Sequence, residues 1–421
     1  MIRRIFIYAI FMAYFTLNTS AYAQTAMEIN CIPIERIHSS KKAIDGISKI
    51  ENKEVSIVNN FNNMFLDAEV SGQVKIMYGD YNYKNKNDTY ATAIGGIIKY
   101  ELASLNGFNA GGAVYTSHDI SFATGTGINQ NSEPSSQSGS YTEIAEAYIN
   151  YKYKDFNFRA GRQLIATPLA DNDDQRMIQN TFEAYVATYN LKGFEIMAGC
   201  IQRWQGFDTG LETPWVKTGD NGTYFGGVTY SDGVSFNLWF YNITGNTNAF
   251  YFDGGFEYSL SEDIVLHTVV QFLDESELNQ SGTEATIYGG LFELTVYDIG
   301  FNIAYDKALI NENKSSFIGT GGGALFTNMD TIGLDNITNN SDAEAIVAGI
   351  VYSMNDFEFL YAYGNFLSKT EHIKEQNIGM EYNLNDEFLV TGVYVMQEDL
   401  KKDTKTDFDF DRFQLIVNYN F

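Results

Sequence analysis

Hydrophobic and polar positions alternate with a period of two along most of the chain, which predicts β-strands. The last nine residues, 413–421, show the pattern without a break. Aromatic and aliphatic side chains share one face of this strand: Phe413, Leu415, Val417, Tyr419 and Phe421. The other face is largely polar: Gln414, Ile416, Asn418 and Asn420. A strand that ends the chain on an aromatic residue in this way favours contact of the apolar face with lipid.

The predicted strands are separated alternately by short turns and by longer polar loops rich in Gly and Asn. The short turns lie near 105–107, 154–155, 191–193, 231–233, 261–263, 297–298, 355–356 and 385–386. The long loops lie around 82–90, 117–140, 164–179, 204–220, 244–248, 274–282, 309–343, 368–371 and 398–407. Eight turns and nine loops connect eighteen strands.

This pattern predicts an all-β fold, a transmembrane antiparallel β-barrel of about 18 strands with short periplasmic turns and long extracellular loops. An even strand number lets the sheet close, so that no strand edge is left unpaired in lipid. Eighteen strands also leave room for a water-filled lumen. A soluble β-sandwich, jelly roll or propeller is the alternative, but no repeat of the length of a propeller blade is visible.

The N-terminal region predicts export. Residues 1–23 carry Arg3 and Arg4, an apolar run over 5–17 and the small-x-small sequence Ala21-Tyr22-Ala23, as in a cleaved signal peptide. Residues 24–68 are predicted to be a periplasmic leader, which either contains a short helix or is a mobile segment near the rim. The barrel is assigned to 69–421, and the predicted location is the bacterial outer membrane.

Composition agrees with this fold class. The 421 residues include 29 Tyr, 31 Phe and 37 Gly but only 4 Pro. Aromatic residues at this frequency can supply the two girdles of an outer-membrane barrel. The formal net charge of -26 argues against a nucleic-acid partner, because nucleic acids attract basic surfaces.

The strand phase predicts which side chains face the lumen. Five bases on the first seven strands fall on the inward phase and form a predicted basic track: Lys75, Lys99, Lys152, Arg159 and Arg203. Bases spaced along a pore wall opposite acids would create a transverse field that orients a charged solute. The alternative is that polar lumen positions tolerate any hydrophilic residue and that neighbouring glutamates neutralise the bases. The candidate glutamates are Glu101, Glu146, Glu183 and Glu195.

Two stretches resemble OprD-type outer-membrane porins. In the first, Gly161-Arg162-Gln163 leads through Thr167-Pro168 to an aspartate-rich turn and then to Thr181-Phe182-Glu183. The second covers Tyr90 to Gly96 and Tyr100 to Phe108.

The resemblance implies an eighteen-stranded barrel, a third extracellular loop that folds inward, and selective diffusion of small solutes such as amino acids or organic acids. It implies that the narrowing is formed by the loop at 164–179, which carries Asp171, Asp173, Asp174 and Arg176, together with Arg162 at the end of the preceding strand. It also implies that Phe421 is read by the barrel-assembly machinery.

The function predicted is therefore that of a porin for passive, partly selective diffusion, without catalysis, cofactor or metal. Expected partners are outer-membrane lipid and lipopolysaccharide, small solutes and the assembly machinery, and a homotrimer is one alternative to a monomer. Two other functions stay open. The loop at 309–343 would suit an adhesin or receptor, and His118-Asp119 would suit half of a hydrolase dyad. The three aspartates after Pro168 are an alternative calcium site.

Overall fold

A computed structural model of the protein describes residues 56–211, 214–317, 319–401 and 406–421. The predicted signal peptide and the first part of the predicted leader lie outside these residues. The described chain forms eighteen long strands. They are β1 Glu69–Tyr83, β2 Thr89–Glu101, β3 Phe108–Asp119, β4 Ser140–Tyr153, β5 Phe156–Gln163, β6 Thr181–Leu191, β7 Phe194–Gln205, β8 Thr223–Asp232, β9 Val234–Ile243, β10 Thr247–Ser261, β11 Ile264–Glu277, β12 Ala285–Val296, β13 Ile299–Ile310, β14 Ala343–Met354, β15 Phe357–Ser368, β16 His372–Asn383, β17 Phe388–Asp399 and β18 Phe410–Asn420.

Each long strand pairs antiparallel with its neighbours in sequence, and the last strand pairs with the first. In this closing pair Gln73 lies opposite Asn420 and Tyr83 lies opposite Phe410. The sheet therefore closes on itself, and the predicted 18-stranded antiparallel barrel is confirmed. Closure matters because it satisfies the backbone groups of both edge strands.

The short turns lie where the sequence predicts them. Two of them are two-residue hairpin turns, Asn106-Gly107 and Lys192-Gly193, in which both residues have positive φ. This conformation matches the twist of the flanking strands, and Asn and Gly adopt it readily. Short turns at one rim leave the long loops at the opposite rim.

Burial along the strands follows the predicted alternation. In β1 the exposed fractions are 43% for Val74 and 42% for Ile76, but 3% for Lys75 and 0% for Met77. In β18 the inward set includes Gln414 and Ile416, both buried. The outer face is thus apolar, and the inner face carries polar and charged side chains.

Two long loops fold into the barrel and meet there. The third loop, 164–180, and the seventh loop, 311–342, are joined by backbone hydrogen bonds, from Thr320 N to Leu169 O (3.0 Å) and from Asp171 N to Thr320 O (3.1 Å). The predicted inward third loop is therefore seen, and the seventh loop lies beside it.

The seventh loop, which the sequence places among the long extracellular loops, is packed inside the barrel. Its apolar side chains are buried among wall residues such as Tyr241, Tyr251 and Phe366. The buried members of the loop are Leu325, Phe326, Met329, Ile332, Leu334 and Ile337. The physical reason is hydrophobic burial, because these side chains remove apolar surface from water only by packing inside the barrel.

Short elements accompany the barrel. Ile57–Val58 pairs in parallel with Ser104–Leu105, and helix α1, Phe61–Leu66, follows. Short strands Ala166–Thr167 and Ala170–Asp171 pair within the third loop, and Val216–Lys217 pairs with the end of β7. Short 3₁₀ helices occupy Ser121–Ala123, Gly127–Asn129, Phe207–Thr209 and Leu334–Ile337.

Within the described ranges, no helix is both long and apolar enough to cross a membrane.

A tight backbone contact beside the closing pair of strands gives a stability prediction. Gly96 has φ +141°, and a Cβ at this position would lie 1.9 Å from Gln73 O. Gly96→Ala should therefore destabilise the barrel, by about 1–3 kcal/mol from overpacking and backbone strain. Heat-modifiable mobility in gel electrophoresis would show a lower unfolding temperature. Gly300→Ala is the matched control, since its nearest neighbour atom would be 3.9 Å away. Equal unfolding temperatures for the two variants would contradict the predicted strain.

Candidate functional site

A buried guanidinium on the last strand connects two loops to the barrel wall. Arg412 has no exposed side-chain surface. Its Nη1 donates to Asp330 Oδ2 of the seventh loop (2.7 Å), and its Nη2 donates to Glu133 Oε2 (3.1 Å). Glu133 belongs to the second loop, 120–139. Nη2 also donates to Gln414 Oε1 (2.5 Å) on the same strand.

The third loop contributes a second arginine to the same carboxylate. Arg176 Nη1 donates to Asp330 Oδ1 (3.3 Å), and its Nη2 donates to Asp330 O (3.0 Å). Tyr81 of β1 donates its hydroxyl to Glu133 Oε1 (2.7 Å). We call Tyr81, Glu133, Arg176, Asp330 and Arg412 the arginine cluster. It links three inward loops to the two strands that close the barrel.

Electrostatics explain how the cluster holds its charges. Burial alone would raise the pKa of Glu133. The positive charges of Arg412 and Arg176 have the larger effect, so the pKa of Glu133 is lowered. The pKa of Arg176 is raised, because Asp330 and Glu133 outweigh the effects of burial and of Arg412. These groups are therefore charged near neutral pH, and each buried charge has opposite charges beside it.

A second ion pair fixes the third loop to β1. Lys75 Nζ donates to Asp174 Oδ1 (2.6 Å) and to Arg176 O (3.2 Å). Burial raises the pKa of Asp174, and Lys75 only partly offsets that rise. The lysine thus orients both the side chain at 174 and the backbone at Arg176.

The arginine cluster separates two cavities in the barrel. Both cavities are lined by Gln175, Arg176 and Asp330. The outer cavity, of about 520 Å³, lies among the long loops, and its charged lining residues are Glu133, Asp173, Arg176, Asp208, Asp330 and Asp335. The inner cavity lies toward the short turns, and its charged lining residues are Lys75, Asp174, Arg176, Asp330, Glu358 and Glu381. Acids outnumber bases in both linings.

The predicted basic track is only partly present. Lys75 and Lys99 lie buried inside the barrel, but each is paired with an acid, Asp174 and Glu146 respectively. Arg159 lies over the ring of Tyr148 at 4.3 Å and donates to Asn150 (3.3 Å). Lys152 is exposed near the short-turn rim. The inward bases therefore do not form a row of uncompensated charges.

The structure corrects the prediction that Arg203 belongs to the basic track. A β-bulge lies between β6 and β7, where Ala184 pairs with Ile201 but Glu183 pairs with Arg203. The extra residue at 202 reverses the phase of the strand. Trp204 therefore takes the inward position in place of Arg203 and stacks on buried Phe182. Arg203 is exposed and turned away from the lumen. Period-two counting from Phe194 fails because a bulge adds one residue to a strand.

The other predicted constriction residues have separate contacts. Arg162 donates to Glu143 (3.1 Å) and lies 4.4 Å from the Trp215 ring centroid, outside the arginine cluster. The backbone N of Asp171 contacts the seventh loop. Asp173 accepts a hydrogen bond from Gln175 N (3.2 Å), which shapes the turn. Among the described residues, no group of potential metal ligands gathers around these aspartates.

Two further sequence predictions can be located. Phe421 N donates to Gly72 O (3.0 Å) at the short-turn rim, and its ring is 48% exposed. The ring of His118 contacts Ser140 Oγ (2.8 Å) and Thr116 Oγ1 (3.0 Å). Asp119 instead accepts hydrogen bonds from Ser135 and Gln130. The two halves of the suggested hydrolase dyad are thus held by different partners.

Sequence reasoning missed four residues of the arginine cluster: Tyr81, Glu133, Asp330 and Arg412. A signal existed for Arg412, because extending the inward phase of the last strand back from Gln414 reaches it. A weaker signal existed for Asp330, which stands among regularly recurring apolar residues in a long loop. No local pattern indicates Glu133, since its role depends on contacts far away in sequence.

Comparison with known proteins identifies the fold. No family model matches the sequence, and no curated protein matches it. Among solved structures, Pseudomonas aeruginosa OpdK with vanillate aligns at TM-score 0.71 and 15% identity, covering 85% of this chain and 99% of that one. The fold is that of the OprD-type porins.

Two other solved structures of this fold align with similar TM-scores. Pseudomonas aeruginosa OpdQ has TM-score 0.68 and 13% identity, covering 86% of this chain and 99% of its own. Acinetobacter baumannii OccAB3 has TM-score 0.70 and 12% identity, with 85% and 99% coverage. At such identities the match concerns the OprD-type fold.

The arginine cluster gives a second prediction. Arg412→Met leaves Glu133 and Asp330 without their shared cation, and breaking such a buried pair typically costs about 3–5 kcal/mol. We expect the inward loops to loosen, with a larger and noisier single-channel conductance in planar bilayers. Arg203→Met is the matched control, since it removes an exposed arginine outside the lumen. Identical conductance of Arg412→Met and wild type would contradict the structural role of the cluster.

Proposed function

We propose that this protein is an outer-membrane porin for passive diffusion of small hydrophilic solutes. The observation that carries the proposal is the arginine cluster, which lies inside a closed eighteen-stranded barrel between two cavities. A barrel of this size needs inward loops to narrow its lumen, and here three loops do so. The OprD-type fold supports the proposal, and one solved neighbour is described as an outer-membrane protein.

The outer face supports a membrane location. Large apolar side chains on alternate strand positions are exposed around the barrel, including Ile94, Ile98, Tyr185, Phe240 and Ile346. An apolar surface of this extent would be unfavourable in water, but it suits the hydrocarbon region of a bilayer. The long loops would then face the cell exterior and the short turns the periplasm.

The charges of the lumen favour cations over anions. The positive charges of the cluster's arginines and of Lys75 are compensated by the acids that bind them. These bases therefore contribute little positive potential in the lumen. On the inner wall, Glu358 and Glu381 lie opposite each other in the ladder between β15 and β16. The negative charge carried by such a pair of carboxyl groups at a pore wall attracts mobile cations and repels anions. This preference differs from the one that the predicted basic track would have produced.

The packing of the seventh loop favours the porin over the adhesin alternative. The adhesin alternative depended on the length of the seventh loop, whose apolar residues are buried inside the barrel and so cannot present an exposed receptor surface.

The test of the proposed function is a planar-bilayer recording with purified protein. We expect reproducible single-channel steps, and a reversal potential in a KCl gradient that corresponds to cation preference. Failure to observe any open current from correctly folded, heat-modifiable protein would refute the porin proposal. An anion-selective reversal potential would refute only the proposed preference.

The paired glutamates give a prediction about selectivity. Glu358→Gln together with Glu381→Gln removes both carboxyl groups from the inner wall, so the reversal potential should move toward anion preference. The matched control is Glu262→Gln with Asp263→Asn, which removes two exposed charges from a short turn. If both double variants gave the wild-type reversal potential, the glutamates would have no part in selectivity.

A carboxyl group in the seventh loop gives a pH prediction. Burial raises the pKa of Asp335, which lines the outer cavity, to about 7. Its negative charge is therefore present above that pKa and lost as the pH falls through it. Cation preference should decrease in a step between pH 8 and pH 5, and Asp335→Asn should make this step smaller. A step of unchanged size in the variant would assign the titration to another group.

A further inference from the structure

The segment before the first barrel strand is docked to the barrel through part of its apolar side chains. Val58 and Met64 are buried in a small cluster with Ala103. Ala103 N donates to Met64 O (3.0 Å), and Ser104 N donates to Ser56 O (2.7 Å). The position of this segment is therefore fixed by both packing and backbone hydrogen bonds.

Helix α1 is held in place by its caps. Asn60 Oδ1 accepts a hydrogen bond from Asn63 N (3.0 Å) at the N-terminus, and Asp67 N donates to Asn63 O (2.9 Å) at the C-terminus. A six-residue helix is too short to be stable alone, so the caps and the contact through Met64 determine which way its other side chains point.

The remaining apolar side chains of this segment are exposed. The exposed fractions are 85% for Ile57, 65% for Phe61, 49% for Phe65 and 78% for Leu66. Phe61 and Phe65 contact each other edge to face, with ring centroids 5.3 Å apart. Four large apolar side chains within ten residues form a patch that water would solvate poorly.

The patch is continuous with the outer face of the barrel. The hydroxyl of Tyr100 donates to Phe65 O (3.3 Å), and Tyr100 lies on the outward phase of β2, next to inward Lys99. Its partner in the ladder, Val70, is 58% exposed, and Ile98 is 62% exposed. The exposed side of α1 therefore extends the apolar outer surface at the short-turn rim.

We propose that residues 57–66 form an interfacial anchor, whose Ile57, Phe61, Phe65 and Leu66 insert among phospholipids at the periplasmic surface of the outer membrane. The proposal rests on the proposed function, because it needs the outer face of the barrel to contact lipid. Aromatic and aliphatic side chains are stable at the boundary between headgroups and acyl chains. The exposed Asn59, Asn60 and Asn62 leave the segment a polar side for water.

The occupant is lipid because the patch adjoins a lipid-facing surface at the level of the rim. Residues 24–55 of this chain or a second copy are the competing occupants, and a label can distinguish them from lipid. Spin labels would be attached at Phe65→Cys, with Phe61→Cys as a second position, in a Cys31→Ser, Cys200→Ser background. Protein in dioleoylphosphatidylcholine vesicles would be exposed to oxygen, which partitions into lipid, and to a nickel chelate, which stays in water.

Two reference labels make the result decisive. A label at Ile94→Cys, on the outer face of β2, reports lipid if the membrane barrel is right, and a label at Asn59→Cys reports water. We expect collisions with oxygen to exceed those with nickel at Phe65, Phe61 and Ile94, and the reverse at Asn59.

Other outcomes overturn different statements. Nickel dominance at Phe65 and Phe61, with oxygen dominance at Ile94, would overturn the anchor and leave the porin proposal intact. Nickel dominance at Ile94 would overturn the membrane barrel itself. Protection of Phe65 from both reagents would mean that protein covers the patch, and this result would also overturn the anchor.

Discussion

The buried guanidinium of Arg412 is the interaction on which the interior of the barrel depends. Removing an arginine from water is costly, and only opposite charges and well-placed acceptors offset that cost. Arg412 obtains them from Asp330 and Glu133, which belong to two different loops. Those loops are therefore held inside the lumen by the same cation that they stabilise.

The pair of strands that closes the barrel, β1 and β18, is also where these loops are attached. In the ladder between β1 and β18, Tyr81 lies opposite Arg412 and Lys75 lies opposite Asn418. Tyr81 and Arg412 contact the second and seventh loops, and Lys75 contacts the third. Closure of the sheet and formation of the constriction are consequently coupled, since the cluster needs side chains from both ends of the barrel sequence.

The seventh loop also contacts wall strands outside the closing pair, namely β11, β13 and β16. Carboxylates of the wall accept its backbone amides: Glu275 binds Phe317 N (3.0 Å), Asp306 binds Thr327 N (2.9 Å) and Glu375 binds Thr331 N (3.3 Å). Many inward acids are thus used to position a loop. Other inward acids, such as Glu358 and Glu381, line the inner cavity.

The sequence predicts the barrel well because its signal is local. Alternation and turn residues locate the strands and the eight short turns. At Asn106-Gly107, for example, the two turn residues themselves favour the positive φ that the turn requires. The face of the sheet on which a single side chain lies is harder to predict, as the bulge before Arg203 shows. The partners of Arg412 depend on contacts across as many as 279 positions in sequence, from Arg412 to Glu133, which no periodicity reveals.

We propose that one water-filled path crosses the barrel and is divided at the arginine cluster. Cysteine accessibility tests it most directly, using Asn336→Cys in the outer cavity and Thr391→Cys in the inner cavity, both in a cysteine-free background. A bulky cationic thiol reagent, added to one side of a bilayer, should reduce the current through Asn336→Cys only from the long-loop side. It should reduce the current through Thr391→Cys only from the short-turn side. Modification of either cysteine equally from both sides, or modification without any change in current, would contradict this arrangement.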